Sequence, residues 1–187
     1  SFYPTKNLGG FGDGGAICTN NDAFAEKCRL LRVHGASTTN TYHHQILGGM
    51  FRLDALQAAV LDIKLKYLDQ WHEARRQHAA MYDKLFAGSK VKTPVIEPDN
   101  YSVYNQYVVR VANRDAVKAK LAAAGVGSAI YYPISLHLQP CFANLGYKAG
   151  DFPASEQACR EVLALPVYPE LTEEQIRYVA AKMLEAV

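Results

Sequence analysis

A single apolar stripe runs through residues 53–86 and limits the folds that are open to this chain. Its members recur at steps of three and four residues, the spacing of one helix face, and they are Leu53, Leu56, Val60, Ile63, Tyr67 and Trp71. The pattern predicts one long helix that ends before Gly88 and bends near Leu68 and Asp69. Because such a helix often bridges two domains, we expect one domain over residues 1–68 and another over residues 69–187.

The second of these domains alternates between strand and helix patterns. Strands are predicted over 101–111 and 126–132, and helices over 114–124 and from Pro153 onward. The last helix has a capping box of Thr172 and Gln175 inside a hydrophobic staple of Leu171 and Ile176. Its predicted buried face consists of Ile176, Val179, Ala180, Met183 and Leu184. The order β-α-β-α-α indicates a small α+β domain.

The first domain gives fewer signals. Residues 15–19 predict a short buried strand. Residues 22–32 predict a helix that is capped by Asn21 or Asp22 and followed by Gly35.

Composition and charge exclude several functional classes. A formal net charge of +2 on 187 residues does not indicate nucleic-acid binding, and no apolar run reaches the roughly 20 residues of a membrane span. No signal peptide is recognisable. The four cysteines lack metal-ligand spacing and are interpreted as buried thiols. We therefore expect a cytoplasmic protein without a metal, a nucleic acid or a membrane partner.

The chain opens on "SFYPTKNLGGFGDGGA", in which Lys6 precedes five glycines. Residues 10–15 match GxGxxG, but a dinucleotide site needs a helix after the glycines and a strand is predicted there. A Walker A loop is excluded because its lysine follows its glycines. Two interpretations remain open. Lys6 is either a Schiff-base nucleophile for pyridoxal 5'-phosphate, with the glycines leaving room for the cofactor, or a surface lysine in a glycine loop.

Several further segments resemble one family in the same order along the chain. They are "RVHG" at 32–35, "GGMFRLDALQAAVLDIKL" at 48–65, "VYNQYVVRV" at 103–111, "YYPISLHLQPCF" at 131–142 and "LGYKAGDFPASE" at 145–156. Together with the opening stretch, they resemble the DegT/StrS family of nucleotide-sugar aminotransferases. The resemblance covers essentially the whole chain.

The resemblance implies an α/β fold, the fold type I of PLP-dependent transferases. Residues 1–68 would be the C-terminal part of the cofactor-binding large domain with the start of the bridging helix, and residues 69–187 the small α+β C-terminal domain. It also implies a homodimer with shared active sites. Members of the family are considerably longer, so the chain is expected to correspond to their C-terminal half.

The resemblance further implies that Lys6 is the catalytic and cofactor-binding lysine. The reaction would move an amino group from an amino acid, glutamate as the usual donor, to a keto-sugar nucleotide in polysaccharide or antibiotic sugar biosynthesis. The spelling "GDGGA" favours a 3-keto sugar over a 4-keto sugar.

The same resemblance assigns substrate binding to three residues, Arg52, Tyr131 and His137. Arg52 could instead form a surface salt bridge, Tyr131 could simply pack, and His137 could be a loop histidine bonded to the backbone. The family has asparagine at the position of Met50, where it reaches the cofactor phosphate of the neighbouring subunit. Methionine cannot donate that hydrogen bond.

A different class of function stays open beside the aminotransferase. The family's partner for the pyridinium nitrogen and most phosphate donors would lie in a segment before Lys6. The chain could therefore be a catalytically incomplete fragment that acts as a non-enzymatic interaction module.

Overall fold

Residues Ser1–Leu68 form one unit of the fold and Asp69–Val187 form another. The computed structural model describes residues 1–37, 39–40 and 42–187. In the first unit, helix α1 spans Asp22–Arg32, as predicted. The side chain of Asn21 caps it by accepting a hydrogen bond from the backbone N–H of Phe24 at 2.9 Å. The chain turns just beyond α1 at Gly35, whose φ of 72° suits glycine.

The predicted long helix is two helices, so that prediction was wrong. Helix α2 spans Ala55–Leu65 and helix α3 spans Leu68–Phe86. Between them, the backbone N–H of Tyr67 donates to the carbonyl of Lys64 at 3.0 Å. This three-residue step tightens the end of α2 and breaks the regular α-helical pattern. The break therefore falls just before the predicted bend.

The apolar stripe is also not a buried face of the first unit. Leu56 is 82% exposed and Ile63 is 59% exposed, whereas Leu61, one position off the predicted stripe, is only 7% exposed. The face of α2 that packs against the rest of the first unit is instead the face that contains Leu61. Large exposed apolar side chains in this unit include Phe11, Ile17, Leu47, Phe51 and Leu56.

The predicted strand at 15–19 was wrong as well. These residues, all of them described, are irregular and exposed. A strand needs a neighbouring strand whose backbone forms hydrogen bonds with its own. The nearest backbone bond of this kind is at Gly14, just before this range, whose carbonyl accepts from Phe2 N–H at 2.8 Å.

The second unit is built on two antiparallel strands. Strand β1 spans Tyr107–Arg110 and strand β2 spans Val162–Leu165, with Tyr107 opposite Leu165 and Arg110 opposite Val162. Strand β2 was not predicted, and the predicted strand at 126–132 was wrong. Within that range Ala129 makes only an isolated bridge to Ala164. The strand predicted over 101–111 is confined to its second half.

Helices cover this strand pair. Helix α4 spans Arg114–Ala123, α5 spans Pro153–Glu161 and α6 spans Glu173–Ala186. Two short 3-10 helices, Leu136–Leu138 and Pro140–Leu145, precede α5. The capping box of Thr172 and Gln175 is confirmed. Leu184 was wrongly assigned to the buried face: it is 41% exposed, and Ala186 is buried in its place.

The core of the second unit joins α3, α4 and α6 to the strands. Its fully buried large side chains are Tyr82, Phe86, Tyr107, Leu121, Leu163, Ile176 and Met183. The ring of Tyr82 stacks on Phe86 at 5.8 Å and on Tyr107 at 5.0 Å between centroids. Aromatic burial of this kind dominates the stability of a small core.

The structure also bears on membrane spans and on the cysteines. Among the described residues, no helix has the length and apolarity that crossing a bilayer requires. All four cysteines are free, but Cys18 and Cys141 are exposed, so their interpretation as buried thiols was wrong.

Candidate active site

Lys6 lies on a turn whose backbone is fixed at its base. The N–H of Phe2 donates to the carbonyl of Gly14, and the carbonyl of Phe2 accepts from Gly10 N–H, both at 2.8 Å. Within this loop, Lys6 N–H donates to the carbonyl of Tyr3 at 2.9 Å. The Lys6 residue itself is exposed. An exposed amine therefore projects from a backbone that its own hydrogen bonds hold.

The glycines after Lys6 are explained by the chain itself. A Cβ on Gly9 would lie 2.4 Å from the carbonyl oxygen of Pro4, and a Cβ on Gly10 would lie 2.8 Å from Oε1 of Gln57. Gly9 and Gly10 are also buried. From the sequence, these glycines were interpreted as room for a cofactor. The structure gives Gly9 and Gly10 an intramolecular role, because side chains here would collide with the turn and with α2, and the interpretation as cofactor space stays a prediction.

Helix α2 contacts the glycine turn through two side chains. Oε1 of Gln57 accepts a hydrogen bond from the N–H of Phe11 at 2.7 Å. Nζ of Lys64 donates to the carbonyl of Gly9. Neither residue was predicted from the sequence to belong to the site. The available signal was their spacing of seven, with Leu61 between them, which puts all three on one side of the helix.

The dinucleotide interpretation stays excluded, for a different reason from the one predicted. A strand was predicted at 15–19, and these residues are irregular in the structure. The first helix after the glycines begins at Asp22, well beyond Gly15. The glycine turn therefore does not open a helix whose N-terminus could bind phosphate.

Arg52 and Met50 lie in the segment that leads into α2. Arg52 is exposed, and the N–H of its neighbour Phe51 donates to the carbonyl of Arg32 at 3.0 Å. Met50 forms an isolated bridge with Val33 and is 58% exposed. The backbone of this segment is thus held against the end of α1 while both side chains face outward.

His137 is bonded to a side chain rather than to the backbone. Its Nε2 lies 3.1 Å from Oε1 of Glu156, and its ring packs against Phe152 with centroids 4.8 Å apart. The same Glu156 oxygen accepts from the N–H of Gly150 at 2.8 Å. These bonds, from Gly150 first and His137 second, hold the pKa of Glu156 below its ordinary value. The pair ties the first 3-10 helix to the start of α5.

Tyr131 lies in the irregular stretch between α4 and the first 3-10 helix. It is 40% exposed, and its ring is tilted against that of Tyr132 at 5.6 Å between centroids.

The predicted site residues are divided between the two units. Lys6 and Arg52 belong to the first unit, and Tyr131 and His137 belong to the second. The predicted site set stays a prediction. In the part of the chain that the structure covers, no three His, Cys, Asp or Glu side chains cluster as metal ligands.

Residues 1–184 match the DegT/DnrJ/EryC1/StrS aminotransferase family. The chain is 50% identical over 188 residues to a "Pleiotropic regulatory protein" of Geobacillus stearothermophilus, covering 99% of this chain and 50% of that protein. It is 42% identical to the UDP-2-acetamido-2-deoxy-3-oxo-D-glucuronate aminotransferase of Pseudomonas aeruginosa, with 98% and 50% coverage. The chain therefore spans about half the length of the curated relatives it matches.

A solved structure of similar sequence agrees in fold. The crystal structure of S. venezuelae DesV in complex with a ketimine intermediate superposes with a TM-score of 0.93 at 39% identity, covering 98% of this chain and 49% of that one. The predicted fold class, the α/β fold type I of PLP-dependent transferases, is confirmed.

Proposed function

Because the chain belongs to the DegT/DnrJ/EryC1/StrS aminotransferase family, we propose that it carries the catalytic lysine of a PLP-dependent sugar aminotransferase. The reaction moves an amino group from an amino acid, with glutamate as the expected donor, to a keto-sugar nucleotide. The observation that carries this proposal is Lys6, an exposed amine on a backbone-held turn within the matched residues.

The residues present fit pyridoxal 5'-phosphate as the cofactor. A primary amine is the group that binds an aldehyde, and Lys6 presents one on the surface of the first unit. When bound, the cofactor supplies the aldehyde carbon and the electron-withdrawing ring on which amino-group transfer depends. Met50 offers no amide donor to its phosphate.

Lys6 performs two tasks in this proposal. Its Nζ holds the cofactor in the resting protein, and the same nitrogen, when free and neutral, accepts and returns a proton beside the reacting carbon. Both tasks need the amine at a fixed place. The hydrogen bond from Lys6 N–H to the carbonyl of Tyr3 supports this, because it fixes the backbone that the side chain starts from.

Arg52, Tyr131 and His137 are proposed to bind the substrate. The exposed guanidinium of Arg52 has the fork of donors that suits a diphosphate. The partly exposed ring of Tyr131 offers a face and a hydroxyl to the sugar or base. Nε2 of His137 is engaged by Glu156 and its ring packs against Phe152, so a substrate contact there would use Nδ1.

We propose a 3-keto sugar nucleotide as the acceptor. The name of the Pseudomonas aeruginosa relative specifies a 3-oxo sugar linked to UDP, and the sequence GDGGA at residues 12–16 favours the same position.

We assign residues 1–68 to the large domain of the fold and residues 69–187 to the small one. We also propose a cytoplasmic homodimer. Four free cysteines, two of them exposed, fit a reducing compartment.

Reductive trapping tests the proposal. The protein is incubated with pyridoxal phosphate, reduced with borohydride and digested, and the modified peptide is located by mass spectrometry. We expect the label on Lys6 and a visible absorbance band that disappears in Lys6→Ala. Lys27→Ala, which removes an exposed lysine of α1, is the matched control and should keep both. Label spread over surface lysines without preference for Lys6 would refute the assignment.

A non-enzymatic interaction module is the second candidate. Two observations favour it: the Geobacillus relative is named for regulation, and the first unit exposes large apolar side chains such as Phe11 and Leu47. The same experiment separates the candidates, because a module of this kind would take up no cofactor at Lys6.

A further inference from the structure

The turn that carries Lys6 is closed by backbone bonds at its base, one of them from Gly10 N–H to the carbonyl of Phe2, and its glycine side has further contacts with helix α2. Between Lys6 and Phe11 the chain has two adjacent buried glycines, Gly9 and Gly10, with no side chains to pack. Glycine leaves the backbone more freedom than any other residue. A fixed Lys6 therefore needs something that holds this side of the turn.

Helix α2 supplies two contacts there, and both reach backbone atoms. Gln57 accepts the N–H of Phe11 at 2.7 Å through Oε1. Lys64 donates from its ammonium to the carbonyl of Gly9. A backbone donor and a backbone acceptor two residues apart are thus satisfied by one helix. The charged donor makes the second bond the stronger type.

The fit around Gln57 shows that this contact is close. A Cβ on Gly10 would lie 2.8 Å from its Oε1, and a Cβ on Gly12 would lie 3.0 Å from its Nε2. The amide group therefore lies directly against the glycine backbone on both sides of Phe11. Because Phe11 N–H is a donor, the oxygen must face it, which fixes the orientation of the amide.

We propose that Gln57 and Lys64 are positioning residues that clamp the glycine turn and thereby fix where Lys6 presents its amine. The part of this inference that concerns cofactor binding rests on the proposed function of Lys6. The clamp itself concerns only the backbone of residues 9–11. The two parts can be measured separately.

Amide hydrogen exchange measures the clamp without any cofactor. In Gln57→Met the acceptor for Phe11 N–H is lost at similar side-chain size, so this amide should exchange about 5- to 10-fold faster, the factor of an ordinary hydrogen bond. Gln57→Glu keeps an oxygen at that place and should exchange at a rate close to that of the original protein. Lys64→Met should speed exchange at Gly10 and Phe11.

Matched controls are available on exposed positions. Gln70→Met and Lys66→Met make the same chemical changes at exposed residues of α3 and at the end of α2. Both should leave the exchange of Phe11 unchanged. Equal exchange rates in Gln57→Met, Lys64→Met and the controls would overturn the clamp.

Trapping of pyridoxal phosphate at Lys6 measures the consequence. Gln57→Met and Lys64→Met should label Lys6 several-fold more slowly than the original protein, and Gln57→Glu should restore the rate. Faster exchange with unchanged labelling would overturn the link from the clamp to Lys6. If the original protein does not label at Lys6, the proposed function fails, and hydrogen exchange alone still decides whether the clamp exists.

Discussion

Gly9→Ala should disturb Lys6 more than any other single methyl group added to the opening turn. The new Cβ would lie 2.4 Å from the carbonyl oxygen of Pro4, 2.8 Å from its carbon and 2.9 Å from the carbonyl oxygen of Tyr3. These are backbone atoms of the turn that carries Lys6, so no side-chain rotation relieves the contact.

The required movement follows from the distances. Ordinary van der Waals contact begins at 3.4 Å, so the 2.4 Å approach must open by about 1 Å. Overpacking of this kind costs about 1–3 kcal/mol. A displacement of about 1 Å at a reacting group can reduce a rate by about 100-fold. We therefore expect Lys6 in Gly9→Ala to be labelled by pyridoxal phosphate about 10- to 100-fold more slowly.

Gly15→Ala is the matched control. None of the described atoms lies within 4 Å of a Cβ added there, and the residue is exposed. Its labelling rate and urea midpoint should stay close to those of the original protein. Labelling of Gly9→Ala at the original rate, or equally slow labelling of Gly15→Ala, would refute the predicted displacement of Lys6.

Three further predictions follow from contacts in the two units. Met50→Asn should lower the Kd for pyridoxal phosphate by about 10-fold, because an amide donor would add a hydrogen bond to a charged group. Equilibrium titration followed by absorbance measures this Kd. An unchanged Kd would show that no phosphate reaches this position. Tyr107→Phe removes a 2.6 Å bond to the carboxylate of Asp83, whereas Tyr82→Phe removes a 3.1 Å bond to a neutral carbonyl. The first should cost about 1.5–3 kcal/mol and the second about 0.5–1.5 kcal/mol in urea unfolding followed by Trp71 fluorescence, and a reversed order would contradict this. Because the pKa of Glu156 is lowered in the folded protein, its contribution is complete above the ordinary carboxyl pKa and is lost as pH falls below it. Glu156→Gln should therefore reduce the loss of stability between about pH 5 and pH 3, and an unchanged acid profile would count against the bonds from Gly150 and His137.

Helix ends were predictable from the sequence where a local side chain caps them. Asn21 bonds to Phe24 three residues later, and Thr172 and Gln175 bond to each other's backbone. Such contacts lie within one turn, so spacing alone reveals them. The break at Lys66 and Tyr67 carries no proline or glycine. A bend near Leu68 and Asp69 was predicted, but the break that divides residues 53–86 into two helices was not.

The strands were less predictable because their partners are distant in the chain. Strand β2 is a run of four apolar residues that directly follows α5, and such a short run looks the same at the end of a helix. Residues 126–132 have the composition of a strand, yet only Ala129 among them pairs with β2, in an isolated bridge to Ala164. In both cases, backbone pairing with a distant segment determined whether the residues form a strand.

The lysine turn illustrates the same difference for the candidate site. Lys6 was identified from the residues around it, but the reason for its glycines was not. Gln57, which packs against Gly10 and Gly12, is separated from Phe11 by 46 positions. The spacing of Gln57, Leu61 and Lys64 indicates a shared face of α2, but it does not indicate that Gln57 contacts a residue as distant in the chain as Phe11.

The pairing of β1 with β2 has a consequence for how the second unit folds. Tyr107 meets Leu165 only after the intervening chain, including α4 and α5, has been brought into a closed loop. The entropy of closing such a loop is lost before the strands and the core offset it. Burial of Met183 and Ile176 from α6 completes that core. On a ribosome, the unit therefore cannot reach its native packing until nearly all of it has been synthesised, which leaves β1 without its partner during elongation.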